Sequence, residues 1–281
     1  MEFKTLDGIN RKEILNVFNE SFSDYFIPFH LTEEQLSFKM TADKINLSLS
    51  VGVFENSNLI AFIMHGFDKV NNEKTIYNGG TGVIPEKRGS GLTKQMHQFI
   101  LPLLKEKGID KLQLEVINVN SQAIISYEKS GYKIARELVC YKGEVSISNT
   151  NNGLQIRKLH NYYWDLMESF WDVYPTWQNS KNVIDELRPN NISLGAYIDN
   201  LLIGYIVFNP KNNRILQIAV SPKFRQKKVV ASTLVKQLTE TYGNTLSVIN
   251  VDKSSNCINT FFKKIGLKNH LEQLEMKLHL E

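Results

Sequence analysis

Cysteine is almost absent, with Cys140 and Cys257 the only two in 281 residues. Two isolated thiols build no disulfide framework and carry no zinc-ligand spacing, which excludes a stapled secreted scaffold and leaves no metal to expect. A reducing cytoplasm is the compartment that fits. Long apolar runs are also missing: residues 59–64 and 201–208 are the longest, far short of the ~20 residues that a membrane helix needs. The first residues, Met1-Glu2-Phe3-Lys4, lead into a polar strand with no export signal. No membrane partner is expected.

Charge of one sign is scarce too. Basic residues number 17 against 18 acidic over residues 1–150, and 16 against 11 over residues 151–281, for a net of +4. Much of the later excess sits at Lys223, Arg225, Lys227 and Lys228, and basic and aromatic residues do not alternate there as in a strand-binding platform. The cluster reads as a solvated helix start, so no nucleic-acid partner is expected.

What is present centres on the turn Pro85-Glu86-Lys87-Arg88-Gly89-Ser90-Gly91-Leu92-Thr93. It stands between an extended segment, 75–84, and a run in which Leu92, Met96, Ile100 and Leu103 recur at helical spacing. A glycine-rich turn that opens a helix leaves backbone N–H groups pointing together at an anion, and Arg88 adds a permanent charge. No Gly-Lys-Ser/Thr follows, so this is no P-loop. Lys94 stands where a dinucleotide fingerprint has its third glycine.

Arg88-Gly89-Ser90-Gly91-Leu92-Thr93 resembles the Arg/Gln-x-x-Gly-x-Gly/Ala acyl-CoA motif of the GCN5-related N-acetyltransferases, with Thr93 departing from the usual small residue. Downstream, Leu114-Glu115-Val116, then Asn120, Ala123, Tyr127-Glu128-Lys129 and Gly131-Tyr132 resemble that family's second signature, in the same order. The resemblance covers residues 1–145 and implies an α/β fold, a mixed sheet with helices on both faces. It also implies acetyl-CoA as cosubstrate. Its pantetheine arm would meet the backbone of Val83 and Ile84, and its phosphates Arg88, Gly89, Ser90, Gly91, Leu92 and Thr93. Asn120, Ala123 and Tyr127 would line the rest. Asn120 also reads as a helix cap.

Acetyl transfer to an amine expels a thiolate, so a neutral hydroxyl near the sulfur can supply a proton. Tyr127 fits that task, because a phenol near pKa ~10 stays protonated while a thiol sits near ~8.5; packing alone is the competing role. For the base, Glu115 on the motif strand is the first choice and His65 the second, and both also fit structural roles. No cysteine lies near the motifs, which favours direct attack in a ternary complex over a covalent enzyme intermediate.

Around this centre, 3–7 reads as a strand and 10–22 as a helix with Ile14, Phe18 and Phe22 on one face. Thr32-Glu33-Glu34-Gln35 forms a capping box. Tyr25, Phe26, Phe29 and His30 are candidate acceptor contacts, or pack helices onto the sheet. Segments 47–54, 59–66 and 75–84 read as strands, the last broken by Asn78-Gly79-Gly80-Thr81-Gly82, a bulge signal. Helices are expected to about Lys107, through Pro102, and over 121–130.

Residues 146–153 read as a linker between a domain at 1–145 and a second at 154–281 that repeats the first in outline. A strand at 154–159, an aromatic helix at 162–174, a helix at 182–188 and strands at 194–198, 201–209 and 214–221 lead to Pro222-x-x-Arg225, the spacing of Pro85-x-x-Arg88. Here Gln226, Lys227, Lys228 and Val230 replace Gly89, Ser90, Gly91 and Thr93, and Ser255, Ile258 and Phe262 replace Asn120, Ala123 and Tyr127. Phenylalanine has no proton to give, so the second copy is expected to keep the fold without transferase activity. Residues 273–280 alternate like a closing strand at a sheet edge.

The expected function is an acetyl-CoA-dependent N-acetyltransferase with a small-molecule amine or peptide acceptor and with a homodimer left open. An acyl-CoA-binding regulatory module without turnover is the alternative.

Overall fold

The computed structural model describes residues 1–25, 29–148, 150, 153–227 and 229–280. The chain divides into two compact units, one of Met1–Ala135 with Leu274–Glu281 and one of Arg136–Gln273. The units therefore do not follow chain order: each takes its last strand from the other half of the sequence.

In the first unit the strands stand in the order β1 (Glu2–Thr5), β2 (Val51–Glu55), β3 (Asn58–Val70), β4 (Glu73–Val83), β5 (Lys111–Ile117) and then the end of the chain's final strand, β12 (Lys268–His279). Asn56 and Ser57 link β2 to β3, and Asn71 and Asn72 link β3 to β4. All four take positive φ, as a two-residue hairpin turn of the right twist requires. β4 and β5 run parallel, so a crossover helix must join them. That helix is α3 (Leu92–Glu106), which follows α1 (Arg11–Ser21) and α2 (Glu33–Ala42).

Alternation along β3 divides the core. Phe62 and Met64 pack with Ile14 and Phe18 of α1 and Leu36 of α2. Ile63 on the opposite face packs with Leu92, Met96, Ile100 and Leu104 of α3. Helices thus cover both faces, and the sheet is mixed. Met276 of β12 is fully buried in the α3 cluster, beside Leu274 and Leu278. The closing strand was expected to pair within the second domain or with another chain, yet its last residues complete the first unit next to β5. Leu280 anchors the end by donating its N–H to the Asp110 carbonyl at 2.8 Å.

The second unit repeats this plan. Its sheet runs β6 (Lys133–Glu144), β11 (Thr245–Asp252), β10 (Arg214–Val220), β9 (Leu201–Asn209), β8 (Ile192–Ile198) and β7 (Gln155–Lys158). Ile206 and Phe208 of β9 pack with Val230, Leu234 and Leu238 of α7 (Val230–Tyr242), while Tyr205 and Val207 pack on Met167 and Phe170.

Two local expectations fail. Leu47–Leu49 is a single 3-10 turn rather than strand, because the Asn46 side chain accepts from the Ser48 N–H at 3.0 Å and closes a turn before β2 starts. The aromatic helix of 162–174 shrinks to α5 (Trp164–Glu168). Tyr163 offers no side-chain cap, and aromatic residues hold a helix weakly when their rings go elsewhere. Here Trp164 Nε1 donates to Asp185 and Trp171 Nε1 to Tyr205.

His65 is fully buried on β3, its Nδ1 2.7 Å from the Leu49 carbonyl. Burial, above all, pushes its pKa down to about 3, with the Leu49 carbonyl opposing the shift and His97 adding a small push downward.

Met276→Ala should destabilise the first unit by about 2–5 kcal/mol. Deleting residues 274–281 should unfold that unit while leaving the second folded, as hydrogen exchange resolved by segment would show. The opposite order of loss would mean that the strand is dispensable to the first unit. Acid adds a second test. The His65 folded pKa lies below its unfolded value of ~6.5, so the neutral imidazole's contribution is complete above ~6.5 and falls away as pH drops towards about 3, by ~1.4 kcal/mol per unit at most. Denaturant melts between pH 7 and 4 should show a steeper loss for the native chain than for His65→Gln.

Candidate active site

The site begins where a ladder stops. β4 and β5 pair only through Thr75–Lys111, Ile76–Leu112 and Tyr77–Gln113, although β4 continues to Val83 and β5 to Ile117. The β3–β4 register shifts between Met64–Gly80 and His65–Asn78, leaving Gly79 as the extra residue of a β-bulge. A bulge bends its strand away from its neighbour, and the two parallel strands open into a V.

Glycine is needed here for packing. A Cβ on Gly82 would lie 2.5 Å from the Phe62 ring, and one on Gly79 2.8 Å from Ile45. The Ile84 N–H is taken by the Ile60 carbonyl at 3.1 Å, so of the two backbone positions expected to face the pantetheine arm, Ile84 has its N–H committed. The same pairing pattern turns the N–H and C=O of Val83, and of Thr81 two residues earlier, away from β3 and into the V.

Gly89 and Gly91 take φ of 76° and 75°, and Gly91 is the N-cap of α3 with no side-chain cap. Nothing lies within 4 Å of a Cβ built on Gly89. The space beside Gly89 is open, while the Gln95 side chain lies 3.8 Å from a Cβ built on Gly91 and donates Nε2 to the Ser90 carbonyl at 3.2 Å; a glycine turn opening a helix in this way can present N–H groups to an anion. Ser90 donates its hydroxyl to the Lys87 carbonyl at 2.5 Å, holding the turn. Leu92 is buried under α3, and Thr93 gives its carbonyl to His97 Nδ1 at 2.9 Å.

Arg88 does not point at the cradle. It forms a two-pronged pair with Asp24, Nη1 to Oδ2 at 2.6 Å and Nη2 to Oδ1 at 2.7 Å, and Nη2 also donates to the Ser21 carbonyl at 3.0 Å. Its Nε reaches the Val83 carbonyl at 3.4 Å. The hydrogen bonds to Arg88 hold the Asp24 carboxyl below the usual range. Arg88 therefore ties the turn to the end of α1. Asp24 escaped the sequence reading, though the repeat contains the signal: Arg225 pairs through Nη1 with Asp172 and bonds the Phe170 and Val220 carbonyls, the counterparts of Asp24, Ser21 and Val83.

Tyr127 lies on α4 (Ser121–Lys129), whose N-cap Asn120 accepts from the Ala123 N–H at 3.1 Å. The cap is thus formed, and Asn120 Nδ2 also sits 3.4 Å from Tyr25 Oη. The Tyr127 ring is buried against Tyr132 and His97, with centroids 5.6 and 6.2 Å away. Its hydroxyl meets the side chains of Thr81 and Asn78 at the bulge. Burial raises its pKa, and those two hydrogen bonds temper the rise. Glu115 stands beyond the last ladder pair on β5, and its Oε2 accepts from the Tyr77 hydroxyl at 2.7 Å. His65, the second base candidate, instead faces Leu49 in the core.

Of the acceptor candidates, Phe26 lies outside the described residues. Phe29 packs on Phe18 and Phe22, and His30 lies beside Asn19. Among the described candidates, Tyr25 reaches the Asn120 end of the site. Among the described residues no cluster of metal-ligating side chains occurs, and no helix is long and apolar enough to cross a membrane.

A GCN5-related N-acetyltransferase from Sphaerobacter thermophilus superposes with a TM-score of 0.72 at 13% identity, over 99% of this chain and 95% of that one. A tandem GNAT protein from the clavulanic acid biosynthesis pathway gives 0.69 at 10% identity, over 99% and 98%. These likenesses speak to the fold. No curated protein matches the sequence. The model of the Acetyltransferase (GNAT) family matches residues 12–132 and again 156–266, so the chain belongs to the GNAT acetyltransferase family and carries two copies of its domain.

Proposed function

We propose that the first unit transfers an acetyl group from acetyl-CoA to a primary amine, of a small molecule or a peptide, by direct attack in a ternary complex. The observation that carries this reading is the convergence of three features on one V: the outward-facing backbone of Thr81 and Val83, the glycine turn at the start of α3, and the Tyr127 hydroxyl at the bulge.

Each feature has a separate task. Val83 and Thr81 offer the pantetheine amides the backbone groups that a further strand would use. Gly89, Ser90, Gly91, Leu92 and Thr93 present N–H groups to the phosphates, and Arg88 fixes their position through Asp24. Ala123 and Asn120 bound the far wall. Tyr127 keeps its proton through the working pH range because burial raises its pKa, and releases it as thiolate charge develops. Glu115, reached through water, takes the proton of the incoming ammonium. The second unit lacks this set, since Phe262 stands at the Tyr127 position.

Tyr127→Phe should lower kcat by about 100-fold or more with little change in the KM for acetyl-CoA. The native pH–rate profile should rise as the amine deprotonates, and any loss from Tyr127 should come at a higher pH than for an ordinary phenol, because burial raises its pKa. Wild-type rates in Tyr127→Phe would remove the acid role, and acetyl-CoA binding with no turnover on any amine would favour the regulatory-module reading. Gly89→Val should raise the KM for acetyl-CoA at least tenfold, an estimate from the strained φ and the blocked cradle. Asp24→Asn should also raise that KM while sparing kcat; an unchanged KM would show that the clamp does not hold the cradle.

A further inference from the structure

The core of the first unit contains three polar rings where leucine or phenylalanine would pack as well. His65 on β3, His97 on α3 and Tyr132 just after α4 are 0%, 1% and 2% exposed. His65 Nδ1 stands 2.7 Å from the Leu49 carbonyl, and His97 Nδ1 2.9 Å from the Thr93 carbonyl. A carbonyl only accepts, so each Nδ1 carries the hydrogen and each Nε2 is left with a lone pair. Burial lowers both histidine pKa values and raises that of Tyr132, so the imidazoles stay neutral and the phenol keeps its proton. Among the described residues, His65 Nε2, His97 Nε2 and the Tyr132 hydroxyl have no hydrogen-bond partner.

The three rings neighbour one another around Tyr127. Between ring centroids, Tyr132 lies 5.6 Å from His97 and 5.6 Å from Tyr127, and His97 lies 6.2 Å from Tyr127, each pair edge to face. His65 joins them from the sheet. It pairs across the β3–β4 ladder with Asn78, and directly opposed residues of an antiparallel pair project from the same face with Cβ atoms about 5 Å apart. Asn78 adjoins the bulge, donates Nδ2 to Thr81 Oγ1 at 2.8 Å, and with Thr81 meets the Tyr127 hydroxyl. Tyr127 thus has its hydroxyl held at the bulge and its ring packed on two of the three unpaired groups.

A buried donor or acceptor without a partner is destabilising, whereas an apolar ring of the same shape in its place is nearly neutral. Two acceptors and one hydroxyl are the complement of a single water, which donates twice and accepts once and so makes the ~3 hydrogen bonds typical of a buried water.

We propose that His65 Nε2, His97 Nε2 and the Tyr132 hydroxyl hold one buried water behind Tyr127, and that through it His97 and Tyr132 are positioning residues for the Tyr127 ring. The water donates to both imidazoles and accepts from Tyr132. It thereby fixes the two rings that flank Tyr127, and with them the direction of the Tyr127 hydroxyl. The positioning role rests on the acid role given to Tyr127 above; the water site does not.

Tyr132→Phe removes the hydroxyl and keeps the ring, so the sign of its effect decides. With the water in place, the variant should unfold at a lower denaturant midpoint than the native chain. A hydroxyl without a partner gives the reverse, so a midpoint that stays or rises would overturn the water site. The nitrogen NMR spectrum of the imidazoles should show both rings as Nδ1–H tautomers whose Nε2 accepts a hydrogen bond, and an unbonded Nε2 in either ring would overturn the site equally. For positioning, Tyr132→Phe should lower kcat about tenfold, less than the loss from a fully misplaced group, with the KM for acetyl-CoA unchanged. In a Tyr127→Phe background it should lower kcat no further. An equal loss in both backgrounds, an unchanged kcat or an effect confined to KM would overturn the positioning role. A native chain that acetylates no amine would overturn that role together with the activity proposed above, while the midpoint and the imidazole spectrum would still decide the water site.

Discussion

A parallel ladder that ends after two or three pairs leaves a row of backbone N–H and C=O groups on each strand with no partner across the gap. Such groups cost about 1–3 kcal/mol each when buried unpaired, so the strands must open to solvent or receive something that pairs as a strand does. In both units the bulge on the middle strand enforces that opening. The sheet continues on one side through the antiparallel neighbour and diverges on the other. Tyr127, Asn120 and the glycine turn acquire their meaning only because they surround this gap.

The arginine clamp separates what the fold needs from what chemistry needs. Arg88 and Arg225 make equivalent bonds to Asp24 and Asp172 and to paired backbone carbonyls. One turn holds glycines and the other does not. The guanidinium thus secures the loop before the crossover helix in either case, and the glycines only set the left-handed backbone of the first turn. A sequence motif that joins the two functions in six residues conceals this division of labour.

Much of the fold was legible because its signals are local. Thr32 and Gln35 form both bonds of the capping box, Asn10 and Asn120 cap their helices, and the asparagine-rich pairs turn their hairpins. The glycine cluster marked the bulge at Gly79. Where a side chain found a more distant partner, local reading failed. The tryptophans of 162–174 bond to Asp185 and Tyr205 and abandon a long helix, and Asn46 folds 47–49 into a turn. Arg88 looked like a phosphate ligand because charge and spacing are visible in sequence and Asp24, 64 residues away, is not.

By itself the sequence determined the family, the repeat, the glycine turn and the phenylalanine at 262 where the first copy has Tyr127, since each depends on residue type and spacing within a few turns of chain. Only the tertiary structure decided that residues 274–281 complete the first unit, that Arg88 serves as a clamp, and that His65, His97 and Tyr132 gather around Tyr127. Those outcomes depend on which distant backbone edges and charges meet, and hydrogen bonding between strands far apart in sequence leaves no mark on either strand alone.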